Sequence, residues 1–273
     1  YDPRITHYIT FPLKRKKKLS TYWKIVRELR KENGELGVIF VNTFISALLF
    51  RLGNVKKNIG YNREGRGFLL DFSPEINYHK HYINRYAFLF NEYIGNKYVY
   101  LPELSLRHTG QKTFQFDNSH KTIALYLGGE NKEFRKYPDE YAVQLLRLLN
   151  RQGYNLLLIG DENDNIKHTQ YAEEARIDHL INLTARTTIE GFINTIANVD
   201  LIITIDSSAL HIAAAVKTPF IALMGLSTSP TSTILPKVPL GRILKIENNL
   251  IREEDYIRNI TPDLILKTIS ELI

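Results

Sequence analysis

Cysteine is absent from the 273 residues. That excludes a disulfide scaffold, a thiolate metal site and a cysteine nucleophile, and it fits a reducing compartment. Also missing is an apolar run long enough to cross a bilayer. The best candidate, Gly37 to Phe50, is broken by Asn42, Thr43 and Ser46, whereas a spanning helix needs roughly 20 apolar residues. No repeat of solenoid period is present. What remains is ordinary globular chemistry, 44% hydrophobic and 24% charged, so the chain is neither disordered nor collagen-like. Its length is comfortable for two domains.

Charge is distributed unevenly. The net balance is +7. Residues 1–120 hold 20 basic and 10 acidic side chains, and residues 121–273 hold 16 and 19. A basic front half on a slightly acidic back half points to two domains with different partners, the first of which meets an anionic one. A phosphorylated glycolipid, a membrane surface and a nucleic acid all qualify. Aromatic residues are not interleaved with the basic run Lys14–Lys18, as a stacking platform for single strands requires, which speaks against the nucleic acid.

The front half mixes periodicities. Thr6–Phe11 reads as a short strand, Ser20 to Lys31 as a helix with Trp23, Val26 and Arg30 at helical spacing, and Val38–Val41 as a strand. Thr43 to Leu52 reads as a helix ended by Gly53, Ile59–Tyr61 as a strand, and His79 to Tyr93 as an amphipathic helix. Between His108 and His120 the periodicity lapses, which marks a linker where the charge also changes.

The back half alternates clearly. Apolar strands Thr122–Leu127, Asn155–Ile159, Leu201–Ile205 and Phe220–Met224 are separated by helices Pro138–Asn150, Asn163–Ala175 and Ser208–Val216. A further helix, opened by the capping box Thr187-Thr188-Ile189-Glu190, runs to Asn198. Continuous apolar strands between helices predict a parallel sheet covered on both faces, an α/β class.

Ligands of open parallel sheets lie beyond the carboxyl ends of the strands. The residues there are Gly128-Gly129-Glu130, Gly160-Asp161-Glu162, Asp206-Ser207-Ser208 and Gly225-Leu226-Ser227. The strand ending at Asp206 passes at once into a helix, so the backbone N–H groups of Ser207, Ser208 and Ala209 stand at its positive end, where a phosphate is favoured. The same residues also read as a plain Asp or Ser helix cap. His211, in the first turn, either reaches that anion or is a buried core histidine.

The segment Thr204-Ile205-Asp206-Ser207-Ser208-Ala209-Leu210-His211-Ile212-Ala213-Ala214-Ala215, followed by Thr218-Pro219-Phe220 to Gly225 and Ser229-Pro230, resembles the bacterial heptosyltransferase family, glycosyltransferase family 9. The family signature has Gly where this chain has Ser208. Lys136-Tyr137-Pro138 resembles the family's Lys-Trp-Pro, and Ile181-Asn182-Leu183 before Thr187 also fits. The resemblance is specific from Thr122 to Pro230 and weaker in the front half.

The resemblance implies a GT-B architecture of two Rossmann-like domains facing a cleft: an acceptor-side domain, 1–120, a donor domain, 121–260, and a last helix, 261–273, crossing back to the first. It implies inverting, metal-independent transfer of a sugar, typically from ADP-heptose, to a glycan acceptor of lipopolysaccharide-core type, with no cofactor. Donor contacts carried over are Gly128, Gly129, Lys136 at the phosphates, Glu162 (or Asp164) at the ribose, Thr187 beside the adenine, and Asp206, Ser207, Ser208, Ala209 and His211 around the diphosphate. The family's catalytic base sits on a strand, Gly-Asp turn and helix that would precede Tyr1, so the first domain is expected to be incomplete. The alternative is a nucleotide-sugar binding protein without turnover. Acceptor candidates are Arg51, Arg63, Arg66, His79, Lys80 and His81. The expected location is the cytoplasm, with peripheral contact at the inner membrane.

Overall fold

The computed structural model describes residues 5–11, 19–100, 103–117, 119–225, 231–236, 238–246 and 252–273. The run Lys14–Lys18 and Ser229-Pro230 lie outside them. By its internal contacts the chain divides into one unit of residues 4–103 with 232–234, and another of 104–231 with 235–273.

The first unit is small. Helix α1 (Leu19–Glu32) leads to strand β1 (Leu36–Val38), helix α2 (Phe44–Leu52), strand β2 (Lys57–Ile59) and helix α3 (Tyr82–Tyr93). β1 and β2 pair in parallel, with Val38 opposite Ile59. Val26, Ile39, Ala47, Ile59, Tyr61 and Leu89 fill the core. The strand expected at Thr6–Phe11 does not form, since residues 5–11 belong to no regular element and are largely exposed. Trp23 is exposed as well, and Val26 is the one fully buried residue of α1. α2 starts where the side chain of Thr43 accepts from the Ser46 N–H, and the Glu64 carboxylate accepts from the Phe44 N–H at 2.8 Å. Both satisfy donors that a helix start leaves open.

Arg66 organises this unit from inside. It is fully buried, which corrects its reading as an acceptor contact. Its guanidinium donates to the Tyr61 carbonyl at 3.0 Å, to the carbonyls of Val41 and Thr43, to Ser46 Oγ at 3.0 Å and to Asn42 Oδ1 at 2.9 Å. Burial lowers its pKa, with Glu64 and Tyr86 acting the other way. The planar fork of an arginine suits such a set of divergent oxygens.

The second unit carries β3 (Thr122–Tyr126), α4 (Asp139–Arg151), β4 (Asn155–Leu158), α5 (Asn165–Ala175), β5 (Leu180–Asn182), α6 (Ile189–Ala197), β6 (Leu201–Ile205), α7 (Ser208–Val216), β7 (Phe220–Leu223), β8 (Gly241–Leu244) and α9 (Pro262–Ile269), and the short helix α8 (Thr231–Ile234) stands between β7 and β8 in sequence. Six parallel strands run in the order β5-β4-β3-β6-β7-β8. β3 and β6 are buried at every position, and each buried Leu or Ile contributes roughly 1.5–3 kcal/mol. α4 packs through Ala142, Val143, Leu145, Leu146 and Leu149, one face at helical spacing. Ala213 and Ala214 of α7 are small enough for close seating on the sheet.

Two boundaries differ from expectation. The linker sought at 108–120 packs on the second unit: the Leu106 N–H donates to the Ala215 carbonyl at 3.1 Å, Thr109 bonds Asn194, and Thr113 bonds Thr195 at 2.6 Å. The division accordingly falls at Glu103/Leu104. The last helix is α9. It lies on α4 and β7, and the Tyr137 hydroxyl donates to the Ile260 carbonyl just before it at 2.8 Å. α6 is capped by Thr188, whose Oγ1 accepts from the Gly191 N–H at 3.1 Å, one residue later than the capping box predicted.

Buried polar groups lie beneath the carboxyl ends of β3, β4 and β5. Burial, and then the neighbouring Asp164 carboxylate, raise the pKa of the Tyr126 hydroxyl. The Asp164 carboxylate accepts the Asp161 N–H at 3.0 Å, and the His168 Nδ1 lies 2.8 Å from Thr184 Oγ1. Asp164 and His168 are fully buried. Burial pushes the His168 imidazole down to about 4, against the upward pull of Asp164 and Asp161. Tyr171, against whose ring His168 packs at 5.9 Å, donates to Asp139.

Two stability measurements test these buried groups. Arg66→Met strands several buried carbonyls and should cost about 2–4 kcal/mol. It should lower the thermal midpoint and amide-exchange protection over residues 39–61, while Arg51→Met on the exposed face should change neither. For His168, the unfolded chain binds a proton below about pH 6.5 that the native state refuses down to about 4. Stability therefore rises with pH through that window, by about 3 kcal/mol in all, and is level above it with respect to this group. Urea midpoints measured from pH 4 to 7.5 should show the slope in the wild type and a reduced one in His168→Gln.

Candidate functional site

Strand order places the candidate site. β3, β4 and β5 step to one side, and β6, β7 and β8 to the other, so the switch lies between β3 and β6. At such a switch the loops leaving the two neighbours diverge, and ligands of open parallel sheets bind at their carboxyl ends. Gly128-Gly129 from β3 and Asp206-Ser207-Ser208 from β6 flank this switch.

The β3 loop is drawn tight by its glycines. Gly128 has φ +79°, and a β-carbon on Gly129 would stand 2.5 Å from the Asn163 carbonyl oxygen and 2.7 Å from Asp164 Cα. The loop thus rests directly on the turn after β4, and no side chain fits between. That turn is closed by Asp161 and Asp164, each capping the other's backbone. Asp164 is buried and engages the cap through Oδ2, while Glu162 on the same turn is exposed.

At β6 the chain passes into α7 through Ser207. Its side chain accepts from the Ala209 N–H at 3.2 Å and lies 3.0 Å from Thr204 Oγ1. The helix-cap reading therefore holds for Ala209, whose N–H is engaged and whose side chain is buried. Ser208 is exposed, and Asp206 and His211 are half-buried. The positive end of the α7 dipole remains at this turn. Thr187 is half-buried one residue before the α6 cap.

The cations sort differently from expectation. Lys136 Nζ pairs with Asp139 at 2.7 Å, and Asp139 also accepts from Lys167 at 3.0 Å and from the Tyr171 hydroxyl at 2.5 Å. Burial works against ionisation of Asp139, but the bonds from Lys136, Tyr171 and Lys167 outweigh it and hold the group at about 2. Lys136 lines a cleft of about 270 Å³ with Arg252 and Arg258. Arg252 and Arg258 there face Asp255 and Glu140 at 2.9 and 3.3 Å.

Its neighbour Arg135 instead donates to the Asp206 carbonyl at 3.5 Å. Lys132 pairs with Asp161 at 3.1 Å, its ammonium 5.7 Å from the centre of the Tyr126 ring. Both lie on the 3-10 turn Glu130–Arg135. Neither was singled out from sequence. The available signal was their spacing of three, which puts two side chains on one face of a 3-10 helix.

The front-half candidates lie in the first unit. Arg51 is exposed, 3.9 Å from Asp71. Lys80 stands 3.8 Å from Glu92 and over the Phe88 ring at 4.3 Å. His79 is exposed, and His81 is the residue before α3. Arg63 is exposed, 5.5 Å from the Tyr78 ring centre.

Comparison with known proteins agrees with this geometry. The family model of glycosyltransferase family 9 (heptosyltransferase) matches residues 22–254. Lipooligosaccharide heptosyltransferase 2 of Haemophilus influenzae is 26% identical, the match covering 93% of this chain and 81% of the relative. The protein of the same name from Haemophilus ducreyi is 24% identical over 99% and 86%. Among solved structures, ADP-heptose lipopolysaccharide heptosyltransferase II of Escherichia coli superposes with a TM-score of 0.78, at 22% identity, over 93% of this chain and 81% of that one. A family 9 glycosyl transferase of Veillonella parvula reaches 0.84 at 16% identity, over 100% and 83%. The fold is accordingly of GT-B type, with two Rossmann-like units, and the parallel sheet whose strand order reverses between β3 and β6 is that of an enzyme chain that belongs to glycosyltransferase family 9.

Proposed function

We propose that this chain transfers a heptose from a nucleoside-diphosphate donor, ADP-heptose, to a hydroxyl of an anionic glycan of the lipopolysaccharide-core type, with inversion and without a metal. The observation that carries the reading is the start of α7 at the β3/β6 switch of strand order, where Arg135 donates to the Asp206 carbonyl, in a family 9 chain. The names of its relatives, lipooligosaccharide and lipopolysaccharide heptosyltransferases, support the sugar and the acceptor class.

In this reading the diphosphate lies at the start of α7, between Gly128-Gly129 and Asp206-Ser207-Ser208, with His211 beside it. The acceptor oxygen attacks the anomeric carbon from the face opposite the diphosphate. The bond to the leaving oxygen breaks, and its electron pair goes to the diphosphate. The acceptor's proton goes to a base, a role that the family resemblance gives to a Gly-Asp turn and that we assign to none of the described residues. Charge grows on the diphosphate as the bond breaks, so fixed positive charge there lowers the barrier. The α7 dipole and the Arg135 guanidinium supply it. Arg135 takes the place expected of Lys136, because Asp139 already neutralises the lysine. Glu162, exposed on the β4 turn, meets the ribose, and the chain at Thr187 borders the adenine.

The acceptor falls to the basic first unit, where Arg51, Arg63, His79, Lys80 and His81 are the candidates. An anionic glycolipid acceptor also places the enzyme on the cytoplasmic side, in peripheral contact with the inner membrane. The charge balance of residues 1–120 supports that contact.

Release of ADP from ADP-heptose, dependent on a core-type acceptor, tests the activity. Titration calorimetry with ADP and adenosine tests the site. Arg135→Ala should weaken ADP by roughly 10–150-fold, the loss of one charge-assisted bond, and adenosine hardly at all. Lys136→Ala should change ADP affinity by less than about threefold, since its charge is already offset. The reverse ranking would return the diphosphate contact to Lys136.

A further inference from the structure

Four aromatic rings of the first unit stand in a chain on its surface. Phe40 meets Tyr86 edge-on at 5.4 Å between ring centres, and Tyr86 meets Tyr82 at 5.3 Å. Tyr82 and Tyr78 flank the Arg85 guanidinium at 4.9 and 5.2 Å. Rings so closely packed are usually core, yet Phe40 is 56% exposed, Tyr78 51% and Tyr82 44%.

They are held rather than loose. Arg85 is buried and donates to the Tyr78 and Lys80 carbonyls at 3.0 and 3.1 Å. Its Nε is buried without a hydrogen-bond partner, so the two ring faces supply much of its stabilisation. The Tyr86 hydroxyl accepts from Asn42 at 3.3 Å and lies 3.5 Å from that of Tyr82, and Asn42 is fixed by buried Arg66. Ordering costs that a ligand would otherwise impose are already met by the fold.

Position and charge indicate the ligand. Phe40 lies two residues beyond β1, at the carboxyl end of the small parallel sheet, where such sheets bind. At the Tyr78 end stands Arg63, exposed and with no carboxylate partner among the described residues. We propose that Phe40, Tyr86, Tyr82 and Tyr78 form a platform for an acidic oligosaccharide, whose sugar C–H faces lie on the rings while an anionic substituent meets Arg63. Pyranose rings present apolar C–H faces beside polar edges, which matches exposed aromatics carrying hydroxyls. Neighbouring rings are inclined by 55° and 83°, which gives no parallel slots for successive nucleobases. The inference rests on the acceptor reading above and names the surface that reading requires.

The test uses the full chain and a deacylated, phosphorylated core oligosaccharide prepared from lipopolysaccharide, compared with the same material after phosphatase and with a single-stranded oligonucleotide. In the wild type, saturation-transfer NMR should carry magnetisation from aromatic protons to the sugar C–H protons. Phe40→Ala and Tyr82→Ala should each weaken binding by about 3–10-fold, while Tyr82→Phe keeps it within about twofold. Arg63→Ala should weaken the phosphorylated form only. Trp23→Ala, an exposed aromatic outside the chain of rings, should change nothing, and ADP affinity should be equal in all of them.

No binding by the wild type, wild-type affinity in both ring-to-alanine variants, or displacement by the oligonucleotide at equal concentration would each overturn the platform. Normal transfer with unaffected ring variants would sink the platform and leave the transfer reading intact. Ring-dependent glycan binding without any turnover of ADP-heptose would do the opposite.

Discussion

The reversal of strand order between β3 and β6 is the constraint on which the second unit's chemistry depends. Both strands are buried on both faces, so their side chains are committed to packing and cannot carry function. Only the backbone that leaves them is available, and it leaves in opposite directions. Gly129 then brings the β3 loop into direct contact with the β4 turn, while Ser207 turns β6 into α7 within one residue. Two neighbouring strands thereby deliver a glycine loop and a helix start to one place, and no side chain need intervene.

The first unit solves a different problem, that of a short two-stranded sheet with a modest core. It relies on two buried arginines. Arg66 collects carbonyl and side-chain oxygens from the segment after β1 and so fixes the shape of a loop that has no ladder to hold it. Arg85 sits between aromatic rings and fixes side chains instead. Burying a guanidinium is expensive unless its donors find partners or its charge finds polarisable faces. Arg66 meets the first condition, Arg85 draws on both through two carbonyls and two ring faces, and the segments they pin adjoin through Asn42.

Among the cations of the second unit, register decides role. In the 3-10 turn Glu130–Arg135, Lys132 and Arg135 are three residues apart and eclipse each other, one meeting Asp161 and the other the Asp206 carbonyl. Lys136 is a single residue further on and is turned to the start of α4, where Asp139 holds it together with Lys167. A shared carboxylate between two lysines keeps Asp139 ionised and both ammonium groups in place. Adjacent residues of like charge thus serve separate structures.

Much of the second unit was legible from sequence, because β3, β4, β6 and β7 are uninterrupted apolar runs and α4 and α7 carry their own caps and spacing. Those are local signals, and the family signature at Thr204–Ala215 is equally local. β8 escaped notice, since Gly241–Leu244 is half exposed and carries no apolar run. The strand read at Thr6–Phe11 failed for the converse reason: strand-forming residues make no strand without a neighbour to pair with. Sequence by itself determined the α/β class, the turn at Asp206–Ser208 and the uneven charge of the two halves. Tertiary structure alone decided that Arg66 is interior, that Arg135 rather than Lys136 reaches the α7 turn, that α9 lies on α4, and that Phe40, Tyr86, Tyr82 and Tyr78 line up. Each of those depends on which residues, distant along the chain, burial and hydrogen bonding bring within a few ångströms, and periodicity along a single chain carries no record of that.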